Sequence, residues 1–356
     1  MRNSLILASL ALDAVSHIGF RDVKNLTSDQ GGSIDSALLT GTDGNHYVVR
    51  MGKTDQAGLE LATEVAALGV LSGSELPFKL SRVVGESRGA RSNPAIVFDF
   101  VYGKPVDIYR SNEVTNQSIG SAIAAIHNLS AEGVREAGFP EFGPAETARL
   151  RVNELDRVAG TGKVPKVLLD RWSEALENVN LFRFTQTVVH GNLNSNNVLE
   201  LDGEVSGILG WHGLKVGDPA EDFAWLAATG SSELLDAVRF AYLAARSVND
   251  PNLAQRAHLY AEMNQARWLL HGVTIGDQEI VADGVAMLEV LAEEVTTGVS
   301  PALIAGAFAL PVAGGFIEAV EDTEPELEVQ QEPTASEVDD RTREIELPER
   351  KDDELF

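Results

Sequence analysis

The stretch Val188–Leu226, VVHGNLNSNNVLELDGEVSGILGWHGLKVGDPAEDFAWL, decides how the rest of the chain is read. It opens with a His-Gly-x-Leu-x-x-x-Asn loop formed by His190, Gly191, Leu193 and Asn197. A hairpin follows at once. Val198 to Leu201 reads as one strand, Asp202-Gly203 as the tight turn, and Val205 to Leu209 as the returning strand. Beyond it come Gly210-Trp211, a Gly-Asp-Pro-Ala run at Gly217 to Ala220, and the acidic-aromatic stretch Glu221 to Trp225.

This layout resembles the catalytic core of the aminoglycoside and macrolide phosphotransferases, small-molecule relatives of the protein kinases. In that family the loop reads His-Gly-Asp-Leu-His and the returning strand ends Ile-Asp-Trp. Here Asn192 stands at the first Asp and Gly210 at the second. The resemblance implies a loop Asp that accepts the proton of a substrate hydroxyl, while an Asn (here Asn197) and the second Asp hold magnesium against the triphosphate. It gives Asp218 the task of bracing the loop around His190 by hydrogen bonds. An asparagine amide can hydrogen-bond a hydroxyl but cannot take its proton. Loss of a general base costs roughly 10²–10⁴ in rate. Magnesium relies on charged carboxylate oxygens, and Gly210 has no side chain, so Mg2+ binding is expected to be weak or absent. The loss of both anionic groups is the signature of a pseudokinase.

The likeness runs over roughly residues 1 to 300, in family order. Ser33 to Thr40 alternates as a strand, Thr42-Asp43-Gly44-Asn45 is a hairpin turn, and His46 to Met51 is the next strand. In the family these correspond to the phosphate-covering hairpin and the strand carrying the basic phosphate contact, here Arg50. Gln30-Gly31-Gly32-Ser33 stands at the phosphate loop, although by itself a Gly-Gly pair equally marks an ordinary turn. Residues 57 to 71 form an amphipathic helix with Leu61, Val65 and Leu68 on one face. That helix carries Glu60 and Glu64; the resemblance favours Glu64 as the partner of Arg50, the alternative being a surface carboxylate. Ala95 to Val101 reads as a buried strand, and the family places its inter-lobe hinge there. Asp99, Phe100 and Val101 would then meet an adenine ring, making ATP the expected cofactor. Ser118 to Leu129 is a helix with Ile119, Ile123 and Ile126 at helical spacing. His127, at its apolar end, reads as structural.

The expected fold is α+β: a bilobal, protein-kinase-like chain with a small N-terminal antiparallel sheet lobe, a mainly helical C-terminal lobe and an acidic disordered tail. The boundaries fall at 1–101 for the first lobe, 102–300 for the second, 301–320 for a small-residue connector and 321–356 for the tail. Helical patterns at Leu234 to Val248 and Ala254 to Val273 belong to the second lobe. Glu262, Asn264 and Trp268 there read either as lining an acceptor cleft or as core and solvated face.

Composition excludes several function classes. The 356 residues contain no cysteine, so disulfides, thiolate metal sites and cysteine nucleophiles are ruled out, and the seven histidines show no metal-ligand spacing. A formal charge of -26 argues against nucleic acid and against anionic lipid surfaces. Fifteen acidic against four basic residues put about -11 of it in Glu321 to Phe356, a stretch expected to be disordered and to serve as a protein-binding arm. The remaining acidic body suits a cationic small-molecule ligand such as an amino sugar. Leu5 to Leu12 is interrupted by Asp13 before it makes a convincing signal peptide. Val299 to Ile317 is uncharged until Glu318 but broken by Pro301, Pro311 and Gly314-Gly315, so a membrane span is not expected and the chain reads as cytoplasmic. Three functions compete: a non-catalytic ligand- or partner-binding module, an active ATP-dependent phosphotransferase acting on a small-molecule hydroxyl, or the same fold turned to other nucleotide chemistry such as adenylyl transfer, against which Gly210 counts because it too needs a metal.

Overall fold

The computed structural model describes residues 4–26, 32–87, 93–246, 248 and 250–304. The acidic tail, most of the connector and Gly31 lie outside the described residues. In chain order the elements are α1 (Ser4–Ala14), β1 (Phe20–Asn25), β2 (Ile34–Gly41), β3 (His46–Gly52), α2 (Asp55–Leu71), β4 (Val83–Glu86) and β5 (Ile96–Asp99). Then come β6 (Lys104–Pro105), α3 (Glu113–His127), α4 (Ala131–Glu136), α5 (Pro144–Ala159) and α6 (Lys166–Glu177). The site region holds β7 (Thr187–Val189), β8 (Val198–Leu201), β9 (Glu204–Ile208) and β10 (Lys215–Gly217). Helices α7 (Ala224–Ala227), α8 (Ser232–Ala245), α9 (Leu253–Ile275) and α10 (Gln278–Thr297) complete the second lobe.

Strands β1 to β5 form an antiparallel sheet in the order β1-β2-β3-β5-β4. Alternation along β2 and β3 divides the sheet's two faces. Ala37, Leu39, Val49 and Val97 on one face close a small core with Leu7 and Ala11 of α1. The apolar stretch at Leu5 to Leu12 is therefore a packed helix, although Leu5 and Ile6 remain exposed. Ile96 and Phe98 on the other face join Leu61 and Leu68 of α2 in a core that continues into the helical lobe through Trp211, Trp172 and Phe223. Burying each such side chain stabilises the fold by about 1.5–3 kcal/mol.

Two features set α2 against β3. Thr54 caps the helix by accepting the Ala57 N–H at 3.2 Å. Gly52 and Gly58 touch backbone to backbone, since a Cβ on Gly52 would lie 2.4 Å from Gly58 N. In the second lobe α3 crosses α8 at Gly120, where a Cβ would meet Val238 O at 2.4 Å. Ile119, Ile123 and Ile126 of α3 are buried as their spacing requires. The hairpin β8–β9 turns at Asp202 and Gly203, both with positive φ, the conformation that an Asp-Gly pair supplies. The returning strand spans Glu204–Ile208, one residue earlier than its apolar pattern suggests, and the Leu209 N–H beyond it still bonds Asn197 O at 2.8 Å. Among the described residues no helix is long and apolar enough to cross a membrane.

Candidate active site

Between β7 and β8 the chain forms the His190 loop, and buried hydrogen bonds hold it. The Asp222 carboxylate, fully buried, accepts the backbone N–H of His190 and of Gly191, each at 2.8 Å, and the Nε2–H of His127 at 3.1 Å. Tyr242 meets the other ring nitrogen of His127 at 3.1 Å. Burial alone would raise the Asp222 carboxyl; the His127 hydrogen bond, the two imidazoles and the Gly191 amide overcome it and hold the group below its usual range. The brace expected of Asp218 thus belongs to Asp222. Asp218 caps the short 3₁₀ turn Pro219–Phe223, and that turn sends the two carboxylates in different directions. Asp218 faces α9, where it accepts from Arg256 at 2.7 and 3.0 Å and from the Tyr260 hydroxyl at 2.6 Å. Fully buried and saturated with donors, it has no coordination site to offer a metal.

His190 is itself buried, packed on Trp211 with ring centroids 4.5 Å apart. Its Nδ1 accepts the Asn192 N–H at 3.2 Å and its Nε2 lies 3.0 Å from Leu209 O, which fixes the Nε2–H tautomer. Burial pushes its pKa down, so the ring is a neutral scaffold. Gly191 has φ +73, and a Cβ there would strike Gly213 O at 2.4 Å, so glycine alone fits.

Asn192 offers its side chain without a hydrogen-bond partner among the described residues, while its carbonyl accepts the Asn194 amide at 3.2 Å and the Asn197 Nδ2 at 2.9 Å. Gly210 sits opposite in the left-handed region, φ +79, with an imagined Cβ 2.8 Å from Asn197 Nδ2. Asn197 therefore fills the space that a side chain at 210 would need. The Glu64 carboxylate is close by, and it is committed. It accepts Arg50 Nη1 at 2.8 and 2.9 Å and the Gly210 N–H at 3.1 Å, tying β3, α2 and the end of the β8–β9 hairpin together. Glu60, one turn earlier, accepts from Gln56 instead.

At the other side of the lobe junction, the N–H groups of Asp99 and Phe100 are already used, by Arg82 O at 2.9 Å and His46 O at 3.1 Å. Val101 is the hinge residue whose backbone has no partner among the described residues; its side chain packs against Gly207. Among the described residues nothing lies within 4 Å of where a Cβ of Gly32 would be, and Ser33 O accepts the Lys53 N–H at 2.8 Å. Lys53, which also stands 4.0 Å from the buried Asp35, is a cation beside the phosphate-loop position that carried no signal in the sequence.

A cleft of about 630 Å³ opens beside Gly191. Its walls come from α5, α9 and β10. Leu150, Leu270 and Phe142 form the apolar part. Arg151, Arg157, Lys215 and Arg267 face Glu154 and Glu221 in the charged part. Glu262, Asn264 and Trp268 do not line it. Glu262 is buried against Arg171 and the Trp172 indole, Asn264 holds Arg267 at 2.7 Å, and Trp268 stacks on His271 and bonds Asp283.

This geometry has relatives of known type. Viomycin phosphotransferase of Streptomyces vinaceus is 28% identical over 257 residues, spanning 68% of this chain and 87% of that protein. The apoenzyme of macrolide 2'-phosphotransferase MphH from Brachybacterium faecium superposes with a TM-score of 0.69 at 20% identity, covering 80% of this chain and 98% of that one. The GDP complex of wild-type aminoglycoside 2'-phosphotransferase-IIIa does so with 0.69 at 19% identity, covering 83% and 100%. These two likenesses establish the bilobal, kinase-like fold. The sequence pattern of the phosphotransferase enzyme family (APH) matches residues 25–259 of the 356, and the chain belongs to that family.

Proposed function

We propose that this chain retains the ligand-binding scaffold of its family with phosphoryl transfer severely impaired. It is a pseudokinase acting as a ligand- or partner-binding module. One observation carries the reading: the two positions that should supply a base and a metal carboxylate hold Asn192 and Gly210, and the Asn197 amide occupies the gap between them. The residues present do not fit Mg2+. Among the described residues no group of three His, Asp or Glu could hold a metal ion; Asn197 offers a neutral oxygen, and Glu64 is taken by Arg50 and the Gly210 N–H.

ATP is proposed to bind between the lobes, with Arg50 and Lys53 toward its phosphates, Gly32 and Ser33 above them, and the Val101 backbone toward the base. The protein is proposed to act in the cytoplasm, where ATP is supplied. The acidic segment 321–356 is proposed as the arm for a protein partner. The test is an ATP titration with and without magnesium. Affinity should change little when magnesium is chelated; a tenfold or greater loss would reveal a metal ligand and refute the reading.

A second reading, an active small-molecule phosphotransferase, is favoured by the Arg50–Glu64 pair and the braced loop, which keep the surroundings of the site assembled. Viomycin, macrolides and aminoglycosides are the acceptors to assay for it.

A further inference from the structure

The cleft beside Gly191 has the opposite charge to the molecule that contains it. The whole chain carries -26, yet the cleft sets four cations, Arg151, Arg157, Lys215 and Arg267, against two carboxylates, Glu154 and Glu221. Both carboxylates are already shared. Glu154 accepts Arg151 at 3.0 Å and Arg267 at 2.8 Å; Glu221 accepts Lys215 at 2.7 Å and lies 3.6 Å from Arg151. Arg157, exposed on α5, makes no salt bridge among the described residues, although its charge acts on Glu154 through space. The Nε of Arg151 is buried without a hydrogen bond, and its guanidinium lies over the Tyr260 ring at 4.3 Å. Burial raises the Glu154 carboxyl despite its arginine neighbours.

We propose that this cleft binds the anionic group, carboxylate or phosphate, of a small molecule whose apolar body rests on Leu150, Leu270 and Phe142. The inference rests on reading the cleft as the ligand site of the scaffold. An amino sugar would have to displace an arginine or a lysine to reach either carboxylate. An anion meets the exposed Arg157 guanidinium, which no carboxylate bridges among the described residues and whose fork suits two-point contact with carboxylate or phosphate oxygens. The volume, about 630 Å³, is that of a pocket for a small organic ligand. Lys215 extends the positive wall to the loop itself, its Nζ standing 3.1 Å from where a Cβ of Gly191 would be. The expectation of a cationic ligand, drawn from the acidic body as a whole, is reversed at the scale of the cleft.

Ligand-observed NMR on the full-length, nucleotide-free protein tests this with three probes sharing one ring: phenyl phosphate, 3-phenylpropionate and phenethylamine. The anions should bind in the millimolar range, weaken with added salt, and compete with each other, while phenethylamine should not bind. Whichever anion is tighter identifies the ligand's charged group. Arg157→Glu, an exposed change that leaves every ion pair above in place, should weaken the anions about tenfold. Binding of phenethylamine as tight as the anions, absence of anion binding, or an unaltered Arg157→Glu variant would overturn the proposal. Because no nucleotide is present, these outcomes are independent of whether phosphoryl transfer is impaired.

Discussion

Removing the Asp222 carboxylate should cost more stability than any change on the surface of the site. Asp222→Ala strands the buried N–H of His190, the buried ring N–H of His127 and the half-buried N–H of Gly191, the two backbone groups both donated at 2.8 Å. Each buried donor left without an acceptor costs about 1–3 kcal/mol. Relief of the buried charge returns part of that. The net expectation is about 3–5 kcal/mol, about a fifth or more of the stability of an ordinary domain. Asp222→Asn keeps the shape and one acceptor oxygen but turns an amide N–H toward a backbone donor, so about 2 kcal/mol is expected. Urea unfolding followed by circular dichroism measures both, with an unchanged denaturant slope as the check on two-state behaviour. Hydrogen exchange at Gly191 should accelerate in the alanine variant, since its amide loses its acceptor. The reasoning fails if Asp222→Ala lies within about 0.5 kcal/mol of wild type, or if asparagine is as damaging as alanine.

Acid should destabilise the protein before ordinary carboxylates titrate. Burial holds His127 and His190 below the usual imidazole range, so the unfolded chain takes up protons first, and stability is full above about pH 6.5 and falls as the pH drops. The slope reaches up to about 1.4 kcal/mol per pH unit for each ring; a stability curve flat between pH 7 and 5 would contradict it. The depressed Asp222 carboxyl adds a further loss only below about pH 4, as the pH falls toward its folded value. Glu64→Ala should cost about 2–3 kcal/mol, less than a fully buried pair because the Arg50 side chain is 24% exposed and can reach water. Chemical denaturation checks the figure, and nucleotide affinity should fall in the same variant if Arg50 contacts phosphate.

The hairpins were legible because their alternation is interrupted by turn pairs, Asp43-Gly44 and Asp202-Gly203, that admit positive φ. Glu64 could be preferred over Glu60 only through the family resemblance, since helix spacing alone leaves a surface carboxylate equally open. The choice between Asp218 and Asp222 was beyond sequence reasoning. Both follow the hairpin closely, and which one turns back to the loop depends on the path of one short 3₁₀ turn. The cleft was hidden for a different reason. Arg151 and Arg157 on α5 and Arg267 on α9 each resemble a solvated helix face, and only the packing of helices more than a hundred residues apart makes them one wall. Net charge could not reveal it, since it averages over a molecule whose acidic residues lie mostly elsewhere.

The central claim is that Asn192 and Gly210 silence an otherwise assembled site, and ATP turnover tests it directly. The wild type, Asn192→Asp, Gly210→Asp and the double variant are compared with magnesium and a panel of viomycin, macrolides and aminoglycosides. Aspartate tolerates the left-handed backbone at 210 better than most residues, although its Cβ must push the Asn197 amide away from Asn192 O. Base and metal ligand act on one transition state, so neither single change should suffice, and the double variant should gain magnesium-dependent turnover on the order of 10²-fold or more over wild type. Robust magnesium-dependent turnover by the wild type itself would contradict the account.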